Sequence, residues 1–171
     1  LQEFVDKQFD NASDVETVGE ETAVGSNVYT NIDVRVNRVK TSETDDKFNS
    51  DYRKFIFKDL THTFAIGYRY SFEGSIWITV DINGYSIIVR RCNNTLSFYK
   101  SNVLYTVPCI LQPKVISNGF DYNNVIPTLD GNIVCMIQYN NTTKDIMENS
   151  RFIVRDRAYK VVSINNFTEI I

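Results

Sequence analysis

Histidine is almost missing from this chain: of 171 residues, only His62 is one. Catalysis that activates a Ser or Cys through an imidazole base therefore has a single residue to draw on. That residue sits in Thr61-His62-Thr63, an alternation that suits the start of a strand better than a catalytic site. Cysteine is also sparse. Cys92, Cys109 and Cys135 are odd in number and widely spaced, which fits neither a secreted disulfide framework nor the C-x-x-C pairs of a zinc site. Three reduced, buried thiols are expected instead. The cations Arg90 and Arg91 precede Cys92 and would favour its thiolate, but a thiol beside a basic turn reads first as a structural group. There is no glycine-rich phosphate loop or dinucleotide fingerprint. Asp10-x-x-x-Asp14 lacks the alternating acids of a calcium loop. Glu73 and Asp81 flank one expected strand, yet nothing specifies the facing carboxylates a glycosidase needs. No catalytic, metal or cofactor site is assigned, and no enzyme is expected.

No run approaches the ~20 apolar residues of a membrane-spanning helix, so no membrane partner is expected. The start, Leu1-Gln2-Glu3-Phe4, lacks the basic and apolar regions of a signal peptide. Ala and Leu are scarce, while Val, Ile, Tyr, Phe and Thr are plentiful, a bias toward strands. A folded chain of this length buries roughly 70% of its unfolded surface and needs no disulfide or metal staple.

Leu1, Phe4, Val5 and Phe9 lie on one face of a short helix, too short to stand without docking. Residues 10–26 are acidic and small, and read as an extended arm or loop. From Asn27 the period changes to two: Val28, Ile32, Val34 and Val36 mark a half-buried strand. Residues 40–51 read as a charged loop. Further strands are expected at Tyr52–Phe57, Phe64–Phe72, Ile76–Ile82, Tyr85–Arg91, Leu96–Tyr99, Val103–Leu111, Ile133–Tyr139, Phe152–Val154 and Tyr159–Ile164. Turns punctuate them at Glu73-Gly74-Ser75, Asn83-Gly84, Asn93-Asn94, Asn118-Gly119, Asp130-Gly131 and Arg155-Asp156-Arg157. Pro108 marks an edge or bulge. Asp145-Ile146-Met147 suits one helical turn, and the apolar end Phe167–Ile171 should be tucked in or paired. The N-x-S/T triplets at Asn93, Asn140, Asn141 and Asn166 are taken as turn residues. The fold class is all-β: a small barrel or sandwich of about nine or ten short antiparallel strands over 27–171, preceded by a helix and acidic arm over 1–26.

Charge is uneven although the net is only -3. Residues 1–34 carry Glu3, Asp6, Asp10, Asp14, Glu16, Glu20, Glu21 and Asp33 against Lys7 alone, whereas Ile82–Phe120 has no acid. Complementary faces are implied, with Arg90, Arg91 and Lys100 on one and Glu16, Glu20 and Glu21 on the other as candidate subunit contacts. Arg90-Arg91 with Phe98-Tyr99-Lys100 interleaves cations and aromatics as nucleic-acid surfaces do, but a pI near 5.2 opposes dedicated binding. Trp77 and the tyrosines could form a sugar platform, though a core Trp and tyrosines on a sheet surface are the stronger reading.

Several segments resemble the head–tail connector or head-closure (neck) proteins of tailed bacteriophages of Gram-positive hosts. They are Ser75-Ile76-Trp77-Ile78, Arg90-Arg91-Cys92-Asn93-Asn94-Thr95-Leu96, Val107-Pro108-Cys109 with Lys114, Gln138-Tyr139-Asn140-Asn141-Thr142-Thr143 leading to Arg151-Phe152-Ile153, and Tyr159-Lys160-Val161. The resemblance spans roughly residues 50–165, and the acidic arm has no counterpart in it. It implies a catalytically inert virion protein, made in the host cytoplasm and assembled as a ring of six or twelve copies. Its partners would be the portal or an adjacent neck protein, a tail protein, and DNA passing through the lumen. Other phage tail parts (tube, terminator or baseplate) and a non-viral carbohydrate-binding sandwich are the alternatives.

Overall fold

The computed structural model describes residues 2–42, 45–115 and 129–165. Among them are helix α1 (Gln2–Asp10) and eleven strands: β1 (Val15–Glu21), β2 (Tyr29–Ser42), β3 (Asp45–Phe57), β4 (Arg69–Phe72), β5 (Ser75–Asn83), β6 (Ser86–Arg91), β7 (Asn94–Lys100), β8 (Val103–Val115), β9 (Leu129–Met136), β10 (Arg151–Val154) and β11 (Arg157–Lys160). Six strands close a barrel in the order β1-β2-β3-β6-β5-β4, and the other five form one sheet in the order β11-β10-β7-β8-β9. The protein is mainly β, as its composition requires.

Alternation places Val18, Val34, Phe55, Phe57, Tyr70, Trp77, Ile87 and Val89 inside the barrel. Phe55 lies at its centre and takes edge contacts from Tyr70 at 5.6 Å and Phe72 at 5.8 Å between ring centroids. Trp77 is core rather than platform: its indole N–H donates to the carbonyl of Phe72 at 3.0 Å, and the Arg53 guanidinium stacks over its ring. The barrel closes where Gly19 meets Ser71 and Glu20 meets Tyr70. At that seam a Cβ on Gly19 would lie 3.1 Å from Tyr29 Cβ and 3.3 Å from Ser71 Cβ, so a bare backbone suits the approach. The second sheet wraps its own core of Leu96, Phe98, Cys109 and Val154, with Phe152, Tyr159 and Ile146 packed against it.

Local chemistry explains where the strands turn. Glu73 and Gly74 both take positive φ, the two-residue turn that matches strand twist. At the next hairpin Asn83 pairs with Ser86, so the central residues are Gly84 and Tyr85, one step later than Asn83-Gly84 suggested. Only Gly84 of the pair has positive φ, the form that wants glycine first. Pro108 sits in the part of β8 that pairs with β7 only, where its missing N–H costs no ladder bond on the open side.

Several expectations are corrected. The segment 10–26 is not an arm outside the barrel, because its residues Val15–Glu21 are strand β1. Its acids looked unburiable, yet cations farther along the chain pair with three of them, Asp10 with Lys58, Asp14 with Arg35 and Glu21 with Arg69. The charged stretch 40–51 is not a loop: β2 and β3 run through it as a long hairpin, with a register shift between Arg38 and Val39. The strand expected at Phe64–Phe72 is reduced to Arg69–Phe72, and Asp130-Gly131 lies inside β9. Asn93-Asn94 is a crossing from barrel to sheet, not a hairpin turn. The turn after Ile137 centres on Asn140–Lys144, where the Asn140 carboxamide accepts the N–H groups of Thr142 and Thr143. Helix α1 docks through Phe9, while Phe4 stays 63% exposed. Its Gln2 holds the backbone of Lys58 and Leu60, and Lys58 in turn reaches Asp10 at 3.1 Å. The turn at Asn118-Gly119, Leu1 and the tail Phe167–Ile171 lie outside the described residues.

A buried polar cluster sets the sheet against the barrel. Arg69 of β4 grips Glu21 of β1 with two guanidinium nitrogens and donates to Asn27 Oδ1 at 2.9 Å. Gln138, just past β9, donates its amide to Glu21 Oε2 at 2.7 Å and to the carbonyl of Gly67 at 3.0 Å. Asn140 donates to the Gln138 carboxamide oxygen in turn, and a Cβ on Gly25 would collide with Asn140. Burial alone would raise the Glu21 carboxyl, but hydrogen bonds from Arg69 and Gln138 outweigh it and hold Glu21 below its ordinary range.

Two outcomes follow for stability. Phe55→Ala leaves a hole inside the barrel and should cost about 3–5 kcal/mol by urea unfolding. Glu21→Gln strands the buried Arg69 charge and should cost about 3–5 kcal/mol at pH 7. A depressed carboxyl contributes stability above its unfolded pKa and loses it as pH falls through the lower folded value. The gap between wild type and Glu21→Gln should therefore narrow from the ordinary glutamate value of 4.5 downward, measured by chemical denaturation between pH 7 and pH 3. A gap that stays constant across that range would mean that Glu21 is not the linked group.

Candidate functional site

The six charged residues chosen from the sequence do not form one surface. Arg91 Nη2 meets Asp51 Oδ1 on the neighbouring strand at 2.7 Å. Arg90 stacks its guanidinium 5.1 Å from the centre of the Tyr52 ring, and its Nε is buried. Both belong to the barrel. Lys100 stands at the end of β7 in the other sheet, 2.6 Å from Asp145 Oδ2 and 2.9 Å from the Asn141 carbonyl. Its ammonium holds the Asp145 carboxyl below the usual carboxylate range. On the acidic side, Glu21 is buried. Glu20 bridges His62 Nε2 at 2.8 Å and the Tyr70 hydroxyl at 3.1 Å. Neither glutamate is available to a neighbouring subunit. Among the described residues two of the six, Glu16 and Arg90, have no ion-pair or side-chain hydrogen-bond partner; Glu16 is exposed, whereas Arg90 is half-buried against Tyr52.

The residues weighed for chemistry are placed as structural groups. The His62 ring stacks on Phe57 with centroids 4.7 Å apart while its Nε2 meets Glu20. Burial pushes the Cys92 thiol up to about 12, despite the adjacent arginines. Cys109 and Cys135 lie on one face of β8 and β9 and share a hydrogen bond; with burial, it raises the Cys135 thiol. Glu73 pairs with Arg53 at 3.5 Å in the barrel wall. Among the described residues no group of three His, Cys, Asp or Glu side chains could hold a metal ion.

The surface that stands out is the outer face of the second sheet. The inner face is fixed by Leu96, Phe98, Val107 and Cys109, so alternation sends Thr95, Ser97 and Tyr99 of β7 and Leu104 and Thr106 of β8 outward. Ser97 and Thr106 are cross-strand partners joined by a hydroxyl hydrogen bond of 2.9 Å. Ile153 of β10 pairs with Ser97, which carries the same face onto Ile153, Arg151, Ala158 and Lys160. Continuing that register sets Arg151 beside Tyr99, and both border a cavity of about 190 Å³ that also touches Lys100 and Asp145. Tyr99 is 68% exposed, Leu104 52% and Ile153 42%. Arg151 and Lys160 stand directly opposite each other, an arrangement of like charges that costs stability. Arg155 and Asp156 form the tip of this hairpin, both at positive φ. Among the described residues none of Arg151, Arg155, Arg157 or Lys160 has an ion-pair partner. The signal was present as four cations against Asp156 in residues 151–160, but it was overshadowed by the longer acid-free stretch upstream.

Where the sheet leaves the barrel, Asn93 substitutes its side chain for a strand residue. Its carboxamide accepts the Leu111 N–H at 2.8 Å and donates to the Leu111 carbonyl at 3.0 Å. Residues 93–170 match the family model of the YomX C-terminal domain, so the matched region begins at this crossing and takes in all five strands of the second sheet. The family is phage-associated, and the match fits a phage protein. No curated protein and no solved structure matches the chain.

Proposed function

We propose that this protein is a non-catalytic structural part of a tailed-phage neck: a head–tail connector, head-closure or adaptor ring that joins portal to tail and helps retain packaged DNA. The observation that carries the reading is the match of residues 93–170 to a phage-associated family. It joins the independent resemblance of segments between Ser75 and Val161 to neck proteins. A small closed barrel beside an open sheet suits such a part, because ring contacts are heterologous and need two unlike faces on one subunit. The partners on this reading are further copies of the chain, in a ring of six or twelve, with the portal or an adjacent neck protein on one side and a tail protein on the other.

The acidic segment contributes to the barrel rather than to an extended docking arm, so subunit contact falls to surfaces that remain free. Phe4 of α1 and Glu16 of β1 are exposed, and the β10–β11 hairpin lies in the second sheet.

Quantitative peptide mass spectrometry on purified phage particles tests the reading. The expected result is a few copies per particle, in a ratio near that of the portal protein. Absence from particles, with the chain abundant in culture fluid, would remove the virion assignment.

A further inference from the structure

The β10–β11 hairpin and the outer face of its sheet carry a feature that the neck reading does not use. Four cations, Arg151, Arg155, Arg157 and Lys160, gather on one two-stranded hairpin against a single acid, Asp156. Five cations elsewhere are paired internally, Arg35 with Asp14, Arg69 with Glu21, Arg91 with Asp51, Lys58 with Asp10 and Lys100 with Asp145, while among the described residues others such as Arg38 and Lys54 stand singly on the barrel strands. The hairpin cations have no such partner among the described residues, and Arg151 opposes Lys160 directly. The tip is built from Arg155 at φ 47 and Asp156 at φ 63, where Asn-Gly would be far more comfortable. A long side chain in this region carries backbone strain.

The face beside these cations is partly aromatic. Its middle is made of small side chains, Ser97, Thr106, Thr95 and Ala158, with two hydroxyls at the centre. At one end Tyr99 projects into solvent next to Arg151. Leu104 is its direct cross-strand partner, and Ile153 lies in the adjacent row. Unneutralised arginines call for an anion they can grip in bidentate fashion, and phosphate is the commonest such group. An exposed tyrosine on a sheet beside them supplies a stacking surface, which a duplex with its bases already stacked cannot use.

We propose that the outer face of the second sheet binds single-stranded nucleic acid, with Arg151, Lys160 and Arg155 at the hairpin tip holding backbone phosphates and Tyr99 stacking a base. Ser97 and Thr106 offer hydroxyls to the sugar–phosphate chain. The negative charge of the whole protein does not prevent this, because phosphate contacts act over a Debye length of about 10 Å at ordinary salt. The site lies within the region matched to the phage-associated family, but its argument is independent of where the protein sits in a particle.

The test uses the full chain and fluorescein-labelled oligothymidylate of about 12 nucleotides, within the span one small β domain covers. Fluorescence anisotropy at low salt should give saturable binding, weaker for a duplex of the same length. The logarithm of affinity should fall with the logarithm of salt concentration with a slope of about -2 for three single-strand phosphate contacts. The double variant Arg151→Gln/Lys160→Gln should bind at least about tenfold more weakly. Tyr99→Ala should lose about tenfold, whereas Tyr99→Phe, which keeps the ring, should bind like wild type. Arg91→Gln on the barrel should leave affinity unchanged. All four positions are exposed, so thermal melts should agree and exclude unfolding as the cause. Oligouridylate in the same assay separates DNA from RNA, and binding of either strand supports the proposal. No binding at low salt overturns it. So does binding that is indifferent to Tyr99→Ala and equal for duplex and heparin, which would make the face a general docking site for acidic partners. Loss through Arg91→Gln equal to that of the double variant would overturn it as well.

Discussion

The contact between Arg69 and Glu21 is the constraint on which the arrangement of this protein depends. Glu21 ends β1, the strand that closes the barrel, and Arg69 begins β4, the strand it closes against. Gln138, from the far side of the second sheet, binds the same carboxylate. One buried group thus meets three parts of the chain separated by as many as 117 positions. The geometry also decides which of two opposing effects governs the carboxyl. Burial disfavours the anion, but a bidentate arginine and an amide donor return more than burial removes, so Glu21 stays ionised. A buried pair of this kind adds little net stability compared with well-packed apolar side chains. What it adds is selectivity: a register slip of β1 by one residue would turn Glu21 into the barrel core and Val18 out of it.

This explains why the fold class was legible and the arm was not. Strand propensity and alternation from Val28 onward, and turn dipeptides such as Glu73-Gly74 and Asn83-Gly84, are local signals, and they led to an all-β barrel or sandwich. The segment 10–26 was misjudged because its strand character rests on non-local chemistry. Val15, Val18 and Gly19 are too few to declare a strand, and Glu20 and Glu21 argue against burial until His62, Tyr70, Arg69 and Gln138 arrive from elsewhere. The same holds at 40–51. A hairpin whose arms extend beyond the barrel needs no apolar alternation, so polar composition was mistaken for a loop.

The candidate surface was hidden for a related reason. Sequence shows where charges are, but not which are already spent. Arg90, Arg91 and Lys100 stood out in an acid-free stretch, yet Asp51, Tyr52 and Asp145 engage them across strands and turns. Tyr99 beside Lys100 was noticed as an aromatic among cations, but its true companion is Arg151, brought alongside by the pairing of Ile153 with Ser97.

Formal net charge therefore misdescribes the field this protein presents. Half of the eight acids in residues 1–34 are balanced by Lys or Arg within the molecule: Glu3 by Lys7, Asp10 by Lys58, Asp14 by Arg35, Glu21 by Arg69. Pairing of this sort flattens the potential near the barrel, since an ion pair at contact distance looks almost neutral beyond a Debye length of about 10 Å. The hairpin at residues 151–160 has no such compensation among the described residues, so its local charge is positive on a molecule whose total is negative. Its two strands run only from Arg151 to Lys160, and the edge they expose is guarded by the same cations that would discourage strand-to-strand aggregation. Edge protection alone would be met by one charge on β11. Arginines at the tip and on both strands, at the expense of a strained turn and a like-charged pair, exceed what protection requires, and it is this excess that marks the face for an anionic partner.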